Sequence, residues 1–282
     1  MESIPHLALI LAACLADGLF GDPVYPLHPI RLLGAWSLRW ERWLFAHGLH
    51  GYLSGAYSLL CLRDLLVHGR QVLAALDDPP RARRRVARLV GRDTERLDRG
   101  GLVRATIESL AENLTDGVLT PLWALCLFGL PGLILVKAIS SLDSLVGYRN
   151  ARYRRFGRLA ARIDDLIHWL PARLSVPLIA LAAVPLRLHP RSALRAARRW
   201  HGVLASPNSG WSEAACAGAL HVRLVGPISY QGRLSYGTFM GEETWPTDLD
   251  GRHLEQALRL VLLCGLLALA FGLTLAVGID RL

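Results

Sequence analysis

The chain has 282 residues, of which 52% are hydrophobic, with a mean hydropathy of +0.31 and a formal net charge of +9. Long apolar runs within such a composition indicate a membrane protein and exclude disordered, collagen-like and disulfide-scaffold chains. Lys137 is the single lysine among 32 basic residues, so the positive charge is almost wholly arginine. It is permanent and suits phosphate, carboxylate and anionic lipid headgroups, and it equally fits the basic excess on the cytoplasmic segments of a membrane protein.

In chain order, apolar runs extend from Ile4 to Phe20, interrupted by Asp17, then from Gly117 to Val136, Leu174 to Leu186 and Leu260 to Ile279. No basic residue precedes the first run and no small-x-small site closes it, so it is expected to be retained and not cleaved as a signal. The second and fourth runs each hold 20 uncharged residues, enough to cross a bilayer as a helix, whereas the third is short and needs tilt or burial. Pro131-Gly132 inside the second run predicts a bend or a re-entrant hairpin. Leu59 to Leu76 has helical apolar spacing and is stopped by Asp77-Asp78-Pro79-Pro80. Arg81 to Val90 resumes with a basic face that reads as a membrane-surface helix, and without aromatic interleaving it is no nucleic-acid patch. Period-two alternation is almost absent. The expected fold class is therefore all-α: a multi-pass integral membrane helical protein with amphipathic helices and polar connecting segments, forming one domain over residues 1–282. Cys14, Cys61, Cys126, Cys216 and Cys264 show no paired spacing and read as small packing residues.

Four polar clusters carry candidate chemistry. Glu108, Glu112 and Asp116 follow at four-residue steps along one helical face and repel one another unless positive charge sits among them. Either the face is solvated, or arginines or a hard divalent cation supply that charge, with Asn113 and Thr115 adding neutral oxygens that suit Mg²⁺. The stripe abuts the second apolar run, where carboxylates are costly enough to need a purpose. Beyond that run, Asp143, Tyr148, Arg149 and Asn150 form a second cluster. The third is Asp164-Asp165 followed by His168, which reads as a helix-terminal charge arrangement or a binding site. The fourth runs from His201 through Ser206-Pro-Asn208 to Glu213, with Ser212 or Asn208 placed to cap a helix beginning near Glu213. Such a junction is an ordinary cap or an anion site built from free N–H groups. Near the N-terminus, Asp17, Asp22, His28 and Arg31 close the first apolar run. Walker, dinucleotide-binding, nucleophile-elbow and zinc-protease motifs are absent, so any nucleotide is held by arginines, backbone and metal.

Taken in order, these clusters resemble the CobD/CbiB family of membrane-associated adenosylcobinamide-phosphate synthases. The resemblance rests on Gly21-Asp-Pro with His28-Pro-Ile-Arg31, Val90-Gly-Arg-Asp-Thr94, Glu108-Ser-Leu-Ala-Glu-Asn-Leu-Thr-Asp-Gly117 with Pro121, and Leu142-Asp-Ser-Leu-Val-Gly-Tyr148. It continues in Ala161-Arg-Ile-Asp-Asp165 with Pro171-Ala-Arg-Leu174, Ser206-Pro-Asn208 with Glu213-Ala-Ala, and Gly226-Pro, and covers nearly the whole chain. Ser140-Ser141 and Ile228-Ser-Tyr230 stand where asparagine-rich versions are expected.

The resemblance implies ATP-dependent amide-bond formation between the propionate carboxylate of adenosylcobyric acid and the amine of aminopropanol or its phosphate. ATP and Mg²⁺ would make the carboxylate electrophilic. On that reading Glu108, Glu112 and Asp116, with Asn113 beside them, hold Mg²⁺ or orient the amine. Asp143, Tyr148, Arg149, Arg162, Asp164, Asp165, Ser206, Asn208, Glu213, His28 and Arg31 contact substrate or phosphate. The implied location is the inner membrane with the polar clusters facing the cytoplasm. The implied partners are lipids and other late cobalamin-pathway membrane enzymes, with no nucleic acid. A membrane carrier and a non-catalytic sensor or scaffold of the AmpE kind are the rival readings; the first calls for more long spans and the second for loss of the clustered carboxylates.

Overall fold

The computed structural model describes residues 11, 15, 60–146, 157–230 and 233–279. Asp17, Asp22, His28, Arg31, Tyr148, Arg149 and Asn150 lie outside them, as does the first apolar run apart from Leu11 and Leu15. The described helices are α1 (Leu62–Leu73), α2 (Pro79–Val86), α3 (Arg99–Asn113), a π-helical turn (Leu114–Leu119), α4 (Thr120–Val146) and α5 (Gly157–Ala183), followed by α6 (Pro190–Trp200), α7 (Ser209–Leu220) and α8 (Gly251–Ile279). The fold is all-α in class, as the periodicity predicts. Among the described residues, its one strand-bearing segment lies between α7 and α8. There β1 (Leu224–Val225) pairs antiparallel with β4 (Phe239–Met240), and β2 (Ile228–Tyr230) with β3 (Arg233–Tyr236). Strands of two to four residues are too short to show alternation in a sequence.

Two helix starts differ from expectation for the same reason. Asp77-Asp78-Pro79-Pro80 does not merely stop α1, because α2 begins at Pro79, with Asp78 Oδ1 accepting the Arg81 N–H at 3.1 Å. Proline is favoured in a first turn, where no N–H is required, so the pair that ends one helix opens the next. α7 begins at Ser209, ahead of the predicted start near Glu213, because Ser206 Oγ accepts the N–H groups of Asn208 and Ser209 at 3.2 and 3.3 Å. Neither Asn208 nor Ser212 caps by its side chain; Ser212 Oγ bonds back to the Ser209 carbonyl.

The chain divides into two compact units. One comprises residues 64–116 and 171–267. Its centre is α7, buried on almost every side and made mostly of small apolar residues, with the acid Glu213 among them. Ala193, Ala196 and Ala197 of α6 and Ala214, Ala215 and Ala217 of α7 are fully buried, and a Cβ on Gly218 would lie 2.3 Å from the Ser192 carbonyl oxygen. Small residues bring these helices into backbone contact. Leu102, Ile107 and Leu110 of α3 fill the same core, each contributing roughly 1.5–3 kcal/mol by burial.

The other unit comprises residues 1–63, 117–170 and 268–282. Within it α4 is broken at Gly129, where φ is 66° and ψ −161°. The predicted bend is present, just ahead of Pro131: the left-handed φ requires glycine, and proline then opens the second half. The first half packs on the end of α8, with Trp123 Nε1 donating to the Ala268 carbonyl at 3.4 Å and its ring edge-on to Phe271. By length and composition, three helical stretches can cross a membrane: Arg99–Ser144, Ala160–Ala183 and Gly251–Gly278. The third apolar run, short in sequence, thus sits in a helix of sufficient length. Leu166, Leu181, Leu266 and Phe271 on these stretches are exposed, as lipid-facing side chains are.

Candidate functional site

Asp98 caps α3 by accepting the Gly101 N–H at 2.7 Å, which sets the helix in register. Two turns on, Glu108 is 4% exposed and has both carboxylate oxygens engaged. Oε2 receives the Arg92 guanidinium, and Oε1 accepts the backbone N–H of Val225 at 2.7 Å. Val225 holds a φ of 61°, strained for a β-branched residue, and Gly226 follows at 82°. A Cβ on Gly226 would sit 2.4 Å from the Phe239 ring. That ring also lies beneath the guanidinium groups of Arg104 and Arg223, at 5.3 and 4.5 Å, and Arg104 Nη1 donates to the Thr247 carbonyl.

Glu112, one turn beyond Glu108, is exposed to solvent and close enough to Arg92 and Glu108 to feel the charge of both. Asp116 falls in the π-helical turn, whose wider winding breaks the four-residue step that would align it with Glu112; such turns recur at functional sites. Glu213, from α7, is 4% exposed and, among the described residues, has neither a hydrogen bond nor an ion pair. Burial pushes its carboxyl well above the usual range. Repulsion from Glu112, Glu108 and Asp116 adds to this, and Arg92 opposes it. Glu108, Glu112, Asp116 and Glu213 therefore share one neighbourhood in which, among the described residues, Arg92 and Arg104 are the nearby cations. Carboxyl groups outnumber guanidinium groups there.

That excess defines what the site can hold. Among the described residues no three His, Cys, Asp or Glu side chains converge as metal ligands. Glu108 is committed to Arg92 and Val225, and Asn113 Nδ2 is committed to its own helix, donating to the Ser109 carbonyl at 2.9 Å. A closed metal cage is therefore not present among the described residues. Mg²⁺, however, ordinarily takes only one or two carboxylates and completes its octahedron with water and phosphate oxygens. Glu112 with Asp116 or Glu213 fits that mode, and the hydroxyl of Thr115, buried without a hydrogen-bond partner among the described residues, lies in the same turn.

At the N-terminus of α7, Asn208 is buried and accepts a long hydrogen bond from Arg173 Nη1 at 3.4 Å. The Arg173 guanidinium lies over the Trp211 ring, which stacks on His201 at 3.9 Å. Arg173 is thus the guanidinium held against this turn. Because Ser206 takes two of the leading N–H groups, the turn is capped from within its own sequence.

In the other unit, Ser140 Oγ donates to Asp164 Oδ1 at 2.8 Å, and His168 Nδ1 stands 3.4 Å from Asp164 Oδ2. Asp143 and Asp165 belong to the same acidic group, while Arg162 is exposed nearby on α5. The structure thus assembles the carboxylate stripe with Glu213 in one unit and Asp143, Asp164 and Asp165 in the other. Sequence reasoning did not single out Arg92, Arg104, Arg173, Trp211 or Val225. Arg92 and Arg173 lie inside the motifs Val90–Thr94 and Pro171–Leu174, which was the available signal. A backbone N–H such as that of Val225 leaves none.

Helices of bilayer length and a buried acidic site define a membrane protein with polar chemistry at its core. A family model described as CobD/Cbib protein matches residues 48–261, and the chain belongs to that family. It is 36% identical to the cobalamin biosynthesis protein CobD of Yersinia enterocolitica, over 97% of this chain and 99% of that protein. Identity is 37% to the CobD of Photorhabdus laumondii, over 84% and 88%, and 42% to that of Rhodobacter capsulatus, over 86% and 75%. No solved structure matches it significantly.

Proposed function

We propose that this chain acts in cobalamin biosynthesis as an adenosylcobinamide-phosphate synthase, joining aminopropanol or its phosphate to the propionate carboxylate of adenosylcobyric acid. Near-complete coverage of relatives named for that pathway supports the setting. The observation that carries the chemistry is the cluster of carboxyl groups around the buried Glu108 and Glu213, which outnumber the guanidinium groups beside them.

A carboxylate is a poor electrophile, and ATP with Mg²⁺ would supply the phosphoryl group that activates it. The chain's own residues bind and orient. Arg92 and the Val225 N–H fix Glu108, which anchors α3 against the β1 strand and sets the direction of Glu112. Glu112, Asp116 and Glu213 offer negative charge to a cation, either Mg²⁺ carried by phosphates or the ammonium of the amino alcohol. The Ser206–Asn208 turn with Arg173 faces an anionic group. Burial keeps water from Glu108 and Glu213, which strengthens the interactions those two groups make.

The test is direct. Purified protein in detergent, given adenosylcobyric acid, aminopropanol phosphate, ATP and Mg²⁺, should yield a product heavier by the amide-linked group in mass spectrometry. Product formation should stop without Mg²⁺ or ATP. No product under any of these conditions, from protein that is monodisperse and folded, sinks the reading.

A further inference from the structure

The second apolar run, Gly117 to Val136, has the length of a full membrane crossing, and it lies within the 46-residue helical stretch Arg99–Ser144, which is long and apolar enough to span. Its backbone does not run straight. At Gly129 the torsion angles are 66° and −161°, which no continuous helix contains. Beyond the break, a Cβ on Gly132 would stand 3.0 Å from the carbonyl oxygen of Ala124 and 2.5 Å from the Phe128 Cβ. In a straight helix the rise from residue 124 to residue 132 is about 12 Å, so such proximity requires the chain to turn back sharply after Gly129.

The residue types at the tip suit that turn. Gly129 takes a backbone conformation open essentially to glycine alone, and Pro131 stands in the first turn of the next helical segment, where its missing N–H removes a donor that lipid could not satisfy. The arms are also too short to cross separately. Thr120 to Phe128 rises about 13 Å and Leu130 to Val136, before Lys137, about 10 Å, against a hydrocarbon core of about 30 Å. At and beyond the tip the exposed side chains are apolar: Phe128 is 70% exposed and Leu135 59%. Lys137 marks the level at which the second arm returns toward water.

We infer that residues 117–146 form a re-entrant helical hairpin, which dips into the hydrocarbon of the bilayer with Phe128 and Pro131 at its tip and leaves on the side it entered. The apolar tip takes lipid chains as its partner. The polar segments before and after it, with Glu95 on one flank and Ser144 on the other, then face the same aqueous compartment. This inference does not depend on the proposed activity.

Sidedness tests it. In full-length protein with its cysteines replaced, Glu95→Cys, Ser144→Cys and Phe128→Cys are labelled separately with a membrane-impermeant maleimide, in spheroplasts and in inside-out vesicles. A second pair, Arg96→Cys and Leu142→Cys, guards against one variant failing to fold. Both pairs should label from one and the same side, with at least a tenfold preference, while Phe128→Cys resists reagent from either side. A pair that labels from opposite sides, or ready labelling of Phe128→Cys by the aqueous reagent, overturns the hairpin.

Discussion

Val225 donates its backbone N–H to Glu108 Oε1 at 2.7 Å while holding a φ of 61°, a conformation that a β-branched residue adopts only when its surroundings impose it. The charge-assisted bond to a buried carboxylate, itself anchored by Arg92, is that imposition. Glu108 therefore has a double structural duty, and its substitution should separate charge from shape. Glu108→Ala leaves the Arg92 guanidinium buried without its partner and the Val225 N–H without an acceptor, at a cost of about 3–5 kcal/mol. Glu108→Gln keeps an acceptor and should lose less. Equal denaturation midpoints for the two variants would show that the Val225 bond carries no stability.

Glu213 gives a pH-dependent prediction. Its folded-state pKa is raised by burial and by Glu112 and Glu108, so the folded protein binds a proton that the unfolded chain releases. The stabilisation is fully present below the ordinary carboxylate range and is lost as pH rises through the folded-state value. Glu213→Gln removes that loss. Its melting temperature should match the wild type in acid and exceed it increasingly toward alkaline pH, while turnover falls about tenfold or more. Parallel melting curves from pH 5 to pH 9 would contradict the charge reading.

Gly218 tests the contact between α6 and α7. An added methyl would meet the Ser192 carbonyl oxygen at 2.3 Å and the Ala196 Cβ at 2.6 Å, neither of which can swing away. Gly218→Ala should destabilise by about 1–3 kcal/mol, although alanine is the better helix former by about 1 kcal/mol. A gain in melting temperature would mean that the helices are not in backbone contact.

The Ser206 turn separates capping from binding. Ser206→Ala removes the acceptor of two N–H groups and should cost about 1 kcal/mol, seen as a drop of a few degrees in melting temperature. Asn208→Ala removes the contact with Arg173, and should raise the apparent KM for ATP or amino-alcohol phosphate more than it lowers stability. If the Asn208 variant loses stability and keeps every KM, the turn is only a cap.

Fractionation addresses the membrane reading itself. Helices such as Gly251–Gly278 should hold the protein in the pellet after carbonate extraction. Recovery in the supernatant would refute integral insertion.

Much of this was legible in the sequence because helical periodicity and apolar length are local properties. The all-α class, the break in the second run and the close placement of Glu108 and Glu112 follow from spacing alone. Other features depend on contacts remote in the chain. Arg92 meets Glu108 from a loop, Val225 arrives through a backbone group, and Glu213 joins the stripe only because α7 packs on α3. The π-helical turn at Asp116 likewise lies outside any simple period. The two early helix starts, at Pro79 and Ser209, were masked because their residues also serve as stop and loop signals.

The close approaches around α7 reach beyond stability. A Cβ on Gly210 would fall 2.0 Å from the His201 carbonyl oxygen, and Gly218 meets Ser192 in the same way, so α7 is gripped main chain to main chain near both ends. Glu213 lies between those grips and has no compliant side-chain layer to absorb displacement. A shift of α6, whose Arg191, Arg195, Arg198 and Arg199 are exposed, must carry the acid with it almost undiminished. An anionic surface that draws on those arginines would thereby act as a lever on the buried charge.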